Sequence, residues 1–416
     1  MAAFSGVRRS SATLRGERPE RHPDGIERPL VTALVIHIAI RIAVVAAVVI
    51  AAAMYPLGTG SLGGDVGAAL GKSDGVWYLG IAHHGYGPPP PIGPDGVYTH
   101  LTSLAFFPLY PILIRAVAVL GAPYLAAALI VTGVAGSAAA MAIVSWARRV
   151  VGGRAAIALL VIWELLPSSV VLNMAYAEAL FVAAAAGCLL ALQRRRWLTA
   201  GAAAALGGLT RPTGAALVLA VAVAAFLEWR RRPQRPEAWG PGTASLLRLA
   251  AAIGLAAAGL IASLVHVAVV TGRVDGWFWL ERTVWNSGFD AGWSALRSMG
   301  ELVTGGRPAH RLPEIVASVV VVAAVGLAVW AWRSRDSRPD PPSAAYSLLI
   351  AVLGIGERGY YYVKPRLLFV AFPALTPVAV AVARQPRRRL LLAGIPLALL
   401  SCAYNAYLLV GWWRAL

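Results

Sequence analysis

Acidic residues and lysine are both scarce in this sequence: 19 Asp and Glu face 37 Lys and Arg, and the lysines are Lys72 and Lys364 alone. The formal charge of +18 invites a nucleic-acid partner. The arginines, however, come as short clusters between apolar runs instead of lining one face, which is how the cytoplasmic loops of a membrane protein are marked. No nucleic-acid partner is expected. Cysteine is limited to Cys188 and Cys402, both inside apolar runs, which excludes a disulfide framework and a thiolate metal site. They suit small core positions. There is no Gly-rich nucleotide-binding loop, so nucleotide-dependent chemistry is not indicated. No convincing internal repeat is present, which weighs against transporter folds built from repeated halves.

Hydrophobic residues make up 58% of the 416 positions and charged residues 13%, with a mean hydropathy of +0.67. That is beyond the usual apolar share of a soluble domain. Runs of about 20 apolar residues, enough to span roughly 30 Å of hydrocarbon, recur from Leu30 to the C-terminus. The expected fold is all-α, a polytopic membrane bundle of about eleven transmembrane helices. It forms one domain over 30–416, preceded by a disordered, Arg-rich cytoplasmic tail over 1–29. The apolar run after the tail is too long for a cleaved signal peptide.

The arginine clusters are Arg8–Arg28, Arg148–Arg154, Arg194–Arg196, Arg230–Arg235, Arg333–Arg338 and Arg387–Arg389. Placing them in the cytoplasm puts the N-terminus inside and assigns two long segments, about 56–103 and 272–313, to the outer face. The second is rich in tryptophan (Trp277, Trp279, Trp285, Trp293), as suits the water–lipid boundary. Leu104–Leu120 is broken by Pro108 and Pro111 and carries Arg115, so an interfacial or re-entrant helix is expected there. Turns within Leu166–Phe181, Gly207–Gly214 and Gly356–Arg366 then also face outward. Arg211 sits in one of them against the charge bias, and an ionisable group at that depth is costly unless partnered.

The first long gap between hydrophobic runs reads SDGVWYLGIAHHGYG (Ser73–Gly87), and SLAFFPLYPILIR follows it. Asp74 heads this stretch, followed by Trp77, Tyr78, His83, His84 and Tyr86. A carboxylate there can take the proton of an attacking hydroxyl, which is general-base work. The plain alternative is a helix N-cap. His83 and His84 are adjacent rather than four apart and have no third ligand in sight, so no metal is expected. Tyr176 and Glu178, with Asn173, either line a pocket or cap the outer turn. Arg211, Lys364 and Arg366 can supply charged hydrogen bonds to a phosphate, or can snorkel to headgroups.

SDGVWYLGIAHHGY and LAFFPLYPIL resemble the paired N-terminal elements of the GPI mannosyltransferase 2 (PIG-V) family and its bacterial relatives. PSSVVLNMAYAEALF, LTRPTG and KPRLLFVAFP are similar to later elements of that family in the same order. TGRVDGWFWLERTVWNSGFD is similar to a segment of its actinobacterial members. Ser73 and Ala177 depart from the pattern, which has Trp and Ser there. The resemblance covers about Ser73 to Pro373. It implies a GT-C type glycosyltransferase that takes a mannosyl or other hexosyl unit from a polyprenyl phosphate at the outer face of the cell membrane. The expected acceptor is a glycolipid or a cell-envelope glycan. Asp74 is then the catalytic residue, and Arg211, Lys364, Arg366, Trp77, Tyr78, His83, His84, Tyr176 and Glu178 contact substrate. No cofactor is implied. A transporter or flippase of lipid-linked sugar, and an inactive scaffold of envelope assembly, are the alternatives.

Overall fold

The computed structural model describes residues 24–88, 101–231, 242–305, 311–333 and 339–412. Most of the expected N-terminal tail, residues 1–23, lies outside them. So does most of the proline run Pro88–Pro91 and part of the Arg230–Arg235 and Arg333–Arg338 clusters. The described chain is helical apart from one two-stranded antiparallel sheet, β1 (Gly288–Phe289) with β2 (Glu357–Arg358).

Helix α1 (Asp24–Met54) begins ahead of the expected Leu30 and carries Pro29 inside its second turn. Two short helices follow, α2 (Leu62–Gly71) and α3 (Asp74–His84), and then α4 (Leu109–Ala118). At 10 residues, α4 is about 15 Å long, half of what a crossing needs. The chain then runs back and forth: α5 (Tyr124–Val151), α6 (Gly153–Glu164), α7 (Glu178–Gln193), α8 (Trp197–Gly208), α9 (Ala215–Arg231) and α10 (Gly242–Thr271). Two short helices, α11 (Gly276–Thr283) and α12 (Trp293–Thr304), flank β1. The last group is α13 (Arg311–Arg333), α14 (Pro341–Gly356), α15 (Lys364–Phe369), α16 (Thr376–Ala383) and α17 (Arg387–Ala406), which runs into a π-turn at Tyr407–Gly411.

Among the described residues, six helices are long and apolar enough to cross a membrane: those around 28–54, 124–151, 212–231, 245–271, 312–331 and 387–411. The span expected at Leu367–Arg384 is instead two pieces, Tyr361–Phe369 and Phe372–Ala383, bent by 83°. Pro373 and Pro377 lie in the second piece, and each lacks the N–H that a continuous helix would need. Counted as one, the bent pair makes seven. The expected total of about eleven would require the short helices α6, α7, α8 and α14 to cross as well.

The core centres on α5 and α7, and Trp146, Trp163, Tyr176, Phe181, Phe369 and Phe372 are fully buried in it. The hydrophobic window of α5 is 56% buried, whereas those of α10 and α13 are 22% buried and equally apolar. Their exposed faces, including Ile261, Val265, Val319 and Val322, would be costly in water and are satisfied by lipid. Small residues let α8 and α10 approach closely. A Cβ on Gly208 would come within 2.5 Å of Leu260 N, and one on Gly259 would collide with the Ala205 carbonyl.

Because successive helices reverse direction, the chain has two chemically different ends. One collects Arg148–Arg154, Arg194–Arg196, Arg230 and Arg387–Arg389, tied by Arg154 Nη2 donating to Gln385 O at 2.8 Å. The other collects the start of α3, the breaks before α7 and α9, the β1–β2 pair, α15 and the C-terminal π-turn.

Candidate active site

The α3 motif, the two breaks and α15 meet at that second end. Asp74 is the first residue of α3, which places its carboxylate at the rim of the bundle with 24% of the side chain exposed. Arg366, on α15, donates from Nη1 to Asp74 Oδ2 at 2.7 Å, and its Nε lies 3.3 Å from Glu178 Oε1. Arg211 forms an ion pair with the same Glu178 oxygen. The guanidinium of Arg366 lies over the Tyr176 ring, 5.1 Å from its centroid. The Asp74 backbone N–H donates to Tyr176 Oη at 3.3 Å. Two carboxylates and two guanidiniums thus alternate, with Glu178 and both cations nearly buried.

Each partner is delivered by a local break in helix. α6 ends at Glu164, and Ser168 then takes a left-handed backbone (φ 67°) that starts a 3₁₀ turn at Ser169–Asn173, ahead of Tyr176 and Glu178. At the tip between α8 and α9, Arg211 is extended (φ −155°) and precedes a 3₁₀ turn, Pro212–Gly214. A Cβ on Gly214 would lie 2.5 Å from Gly208 Cα, so the turn needs glycine there. Pro365 at the start of α15 sets Arg366 in its first turn.

Aromatic residues wall the site. Trp77 stacks on Phe106 (5.9 Å between centroids) and meets Trp285 edge-on at 5.5 Å. Tyr78 packs edge-on against Phe106 at 5.1 Å and Tyr110 at 5.0 Å. The second motif element is locked to the first, since Tyr86 Oη donates to Phe106 O at 2.7 Å. Burial pushes the phenols of Tyr78 and Tyr176 well up, so both stay neutral hydroxyls.

The structure brings together Asp74, Trp77, Tyr78, Tyr176, Glu178, Arg211 and Arg366, but not every residue the sequence nominated. His83 and His84 end α3, about 15 Å from Asp74 by helix rise. There they contact each other, and His83 meets the Tyr124 ring edge-on. Lys364 is 1% exposed and gives its ammonium protons to the carbonyls of Gly354, Ile355 and Glu357 at 3.1, 3.2 and 2.7 Å. It braces the β2 turn. Among the described residues no cluster of three or more His, Cys, Asp or Glu could hold a metal ion.

Two acidic residues join the site without having been singled out. Ser287 Oγ donates to Glu357 Oε1 at 3.1 Å, and Lys364 Nζ lies 3.7 Å from Glu357 Oε2. Glu281, on α11, is pushed up to about 7 by burial and then by the charges of Glu357 and Asp74. A carboxyl group among WFWLERTVW was the available signal. Deeper in the bundle, Glu164 is bonded by His37 Nδ1 at 2.6 Å and Arg41 Nη2 at 2.7 Å, and Arg41 Nη1 donates to Ser169 O at 2.8 Å.

Beside the site lies an apolar cavity of about 480 Å³ between α13, α14 and the bent pair. Pro365, Leu368 and Phe369 line it, on the same short helix that carries Arg366.

No family model and no curated protein sequence matches this chain. Among solved structures it is similar to the oligosaccharyltransferase of Archaeoglobus fulgidus. With the zinc and sulfate complex the TM-score is 0.45 at 18% identity, covering 91% of this chain and 53% of the other. The apo form gives 0.43 at 16% identity, over 90% and 55%. The complex of that protein, AglB, with an inhibitory peptide and a dolichol-phosphate gives 0.43 at 15%, over 90% and 55%. The chain spans about half the length of the solved structures it matches.

Proposed function

We propose that the protein is a membrane glycosyltransferase of GT-C type. In this reading it moves a hexosyl unit, mannose first among the candidates, from a polyprenyl phosphate to a lipid or cell-envelope glycan. Chemistry occurs at the membrane face opposite the arginine clusters, which the positive-inside bias makes the outer one. The observation that carries the proposal is the Asp74–Arg366–Glu178–Arg211 array at the mouth of the bundle. It sets a carboxylate able to take a proton beside two cations able to hold a phosphate.

The reaction is a single displacement. The acceptor hydroxyl oxygen attacks C1 of the sugar, its proton passes to Asp74, and the bond from C1 to the phosphate oxygen breaks with inversion. Arg366 and Arg211 stabilise the charge on the departing polyprenyl phosphate. Arg366 already occupies Asp74 Oδ2. A phosphate that draws Arg366 toward itself frees that oxygen for the acceptor hydroxyl, so the donor binds first. The apolar cavity next to Arg366 supports an isoprenoid as the donor's carrier. Supplying labelled polyprenyl-phosphomannose and host lipid extract to the purified protein in bilayers tests the proposal; label moving into a new product is the expected result.

A transporter of lipid-linked sugar is the second reading, and the buried His37–Glu164–Arg41 cluster favours it, because ionisable groups inside spans often serve transport. Movement of unmodified donor across a vesicle, with no product formed, would select that reading.

A further inference from the structure

The end of the described chain is fastened to three of the four segments that build the site. Lys72 Nζ donates to the carbonyls of Leu408, Leu409 and Trp412 at 2.8, 2.9 and 2.8 Å. These belong to the last turn, where a helix leaves carbonyls unsatisfied, and the three protons of an ammonium match them. Asn405 Oδ1 accepts from Val170 N at 2.9 Å and its Nδ2 reaches Ser169 Oγ at 3.3 Å, in the break that leads to Tyr176 and Glu178. The Trp412 ring meets Tyr362 edge-on at 5.3 Å, just ahead of α15 and Arg366.

Between Lys72 and Asp74 stands Ser73, with φ 58° and ψ −122°. Gly75 N donates back to Lys72 O at 3.1 Å. This is a type II′ turn whose first central position ordinarily takes glycine. A non-glycine residue stays in such a conformation only where its surroundings over-determine it. On one side that restraint is Lys72 and its three carbonyls. On the other it is Asp74, held by Arg366 and Tyr176.

We propose that the C-terminal turn, residues 405–412, is a positioning clamp for the active site. Lys72 is the positioning residue that transmits it, by holding Ser73 in the left-handed conformation that aims Asp74 at Arg366. The clamp is a structural claim; only its kinetic consequence rests on the proposed transferase activity. π-turns recur at functional sites, and here the turn presents its carbonyls to a single cation.

Hydrogen exchange by mass spectrometry on the full-length protein in nanodiscs tests the clamp. The variants are Lys72→Met, Leu409→Pro, which breaks the turn presenting the carbonyls, their double variant, and Lys72→Arg, which keeps charge and donors. Lys72→Met and Leu409→Pro should each speed exchange over Ser73–Leu79 by about tenfold or more, while α5 stays protected. The double variant should add little, because both act through one contact. Lys72→Arg should recover most of the protection. In the transfer assay, kcat should fall about tenfold or more from misplacement of Asp74, with donor KM within about twofold.

Unchanged exchange over Ser73–Leu79 in both single variants overturns the clamp, as does a double variant whose effect is the sum of the singles. Should Lys72→Met lose protection in α5 as well, Lys72→Arg and Leu409→Pro decide by the same criteria. If the wild type transfers no sugar, the proposed function falls, while the exchange data still decide the clamp.

Discussion

Arg366 donates to Asp74 across 292 positions of sequence, at 2.7 Å, and the same guanidinium reaches Glu178 at 3.3 Å. The first long polar gap and the bent helix pair near the C-terminal end are therefore joined through one carboxylate.

Arg211 and Arg366 both contact Glu178 Oε1. Arg211→Ala should weaken donor binding by about tenfold or more, the scale of a lost charged hydrogen bond. Arg211→Lys should recover part of it, because an ammonium lacks the planar fork. Titration of the folded variants with polyprenyl phosphate checks this. Equal affinity in all three would reduce Arg211 to a brace for Glu178.

Gly214 packs against the backbone of Gly208 at the tip that carries Arg211. Gly214→Ala should cost about 1–3 kcal/mol, the range for overpacking, and should weaken donor binding along with stability. Gly187→Ala, where an added Cβ meets nothing within 4 Å, should leave both nearly unchanged. Thermal unfolding in detergent and donor titration compare the two.

Glu281 gives a pH signature with a definite sign. Its folded value near 7 lies above the ordinary 4.5, so the folded state holds more protons than the unfolded one between those limits. Its contribution to stability is complete below about 4.5 and is lost as pH rises through about 7. Glu281→Gln removes that dependence and should raise the unfolding temperature relative to wild type above pH 7. A wild-type profile parallel to that of Glu281→Gln from pH 4.5 to 8 would contradict the burial of this carboxyl beside Asp74 and Glu357.

Orientation is tested with single cysteines in a Cys402→Ser background, Cys188 being buried. Leu101→Cys, at the end that carries the site, should react with a membrane-impermeant thiol reagent added to intact cells. Arg194→Cys, at the arginine-rich end, should react only after the cells are opened. The reverse pattern would move the site to the cytoplasmic face.

Much of this arrangement was legible in the sequence. Hydrophobic runs located the long helices because span length is a property of one segment. Arg211 stood out through its conflict with the charge bias, and Asp74 through its place at the head of an aromatic motif. What pairs with what was not legible. That Glu178 would lie between Arg211 and Arg366 depends on two helix breaks meeting in space, and hydropathy does not encode that. The 83° bend in the pair ending at Ala383 was hidden because an apolar run reads the same whether straight or broken, although Pro373 and Pro377 were the marks of it. Lys72 is one of two lysines in the chain and touches the motif, yet its partners lie 336 to 340 residues away. Glu281 was passed over because an acid among tryptophans reads as interfacial until the β1–β2 pairing brings it to Glu357.

The most direct test of the account is the turnover of Asp74→Asn beside wild type, with labelled polyprenyl-phosphomannose as donor and donor affinity measured on the same folded preparations. Asparagine keeps the size of the side chain and an acceptor for Arg366 but cannot take a proton. Turnover should fall by about 10²–10⁴-fold, the range for a lost acid–base group, with donor affinity within a few-fold of wild type. Near-normal transfer by Asp74→Asn would contradict the assignment of Asp74 as the base.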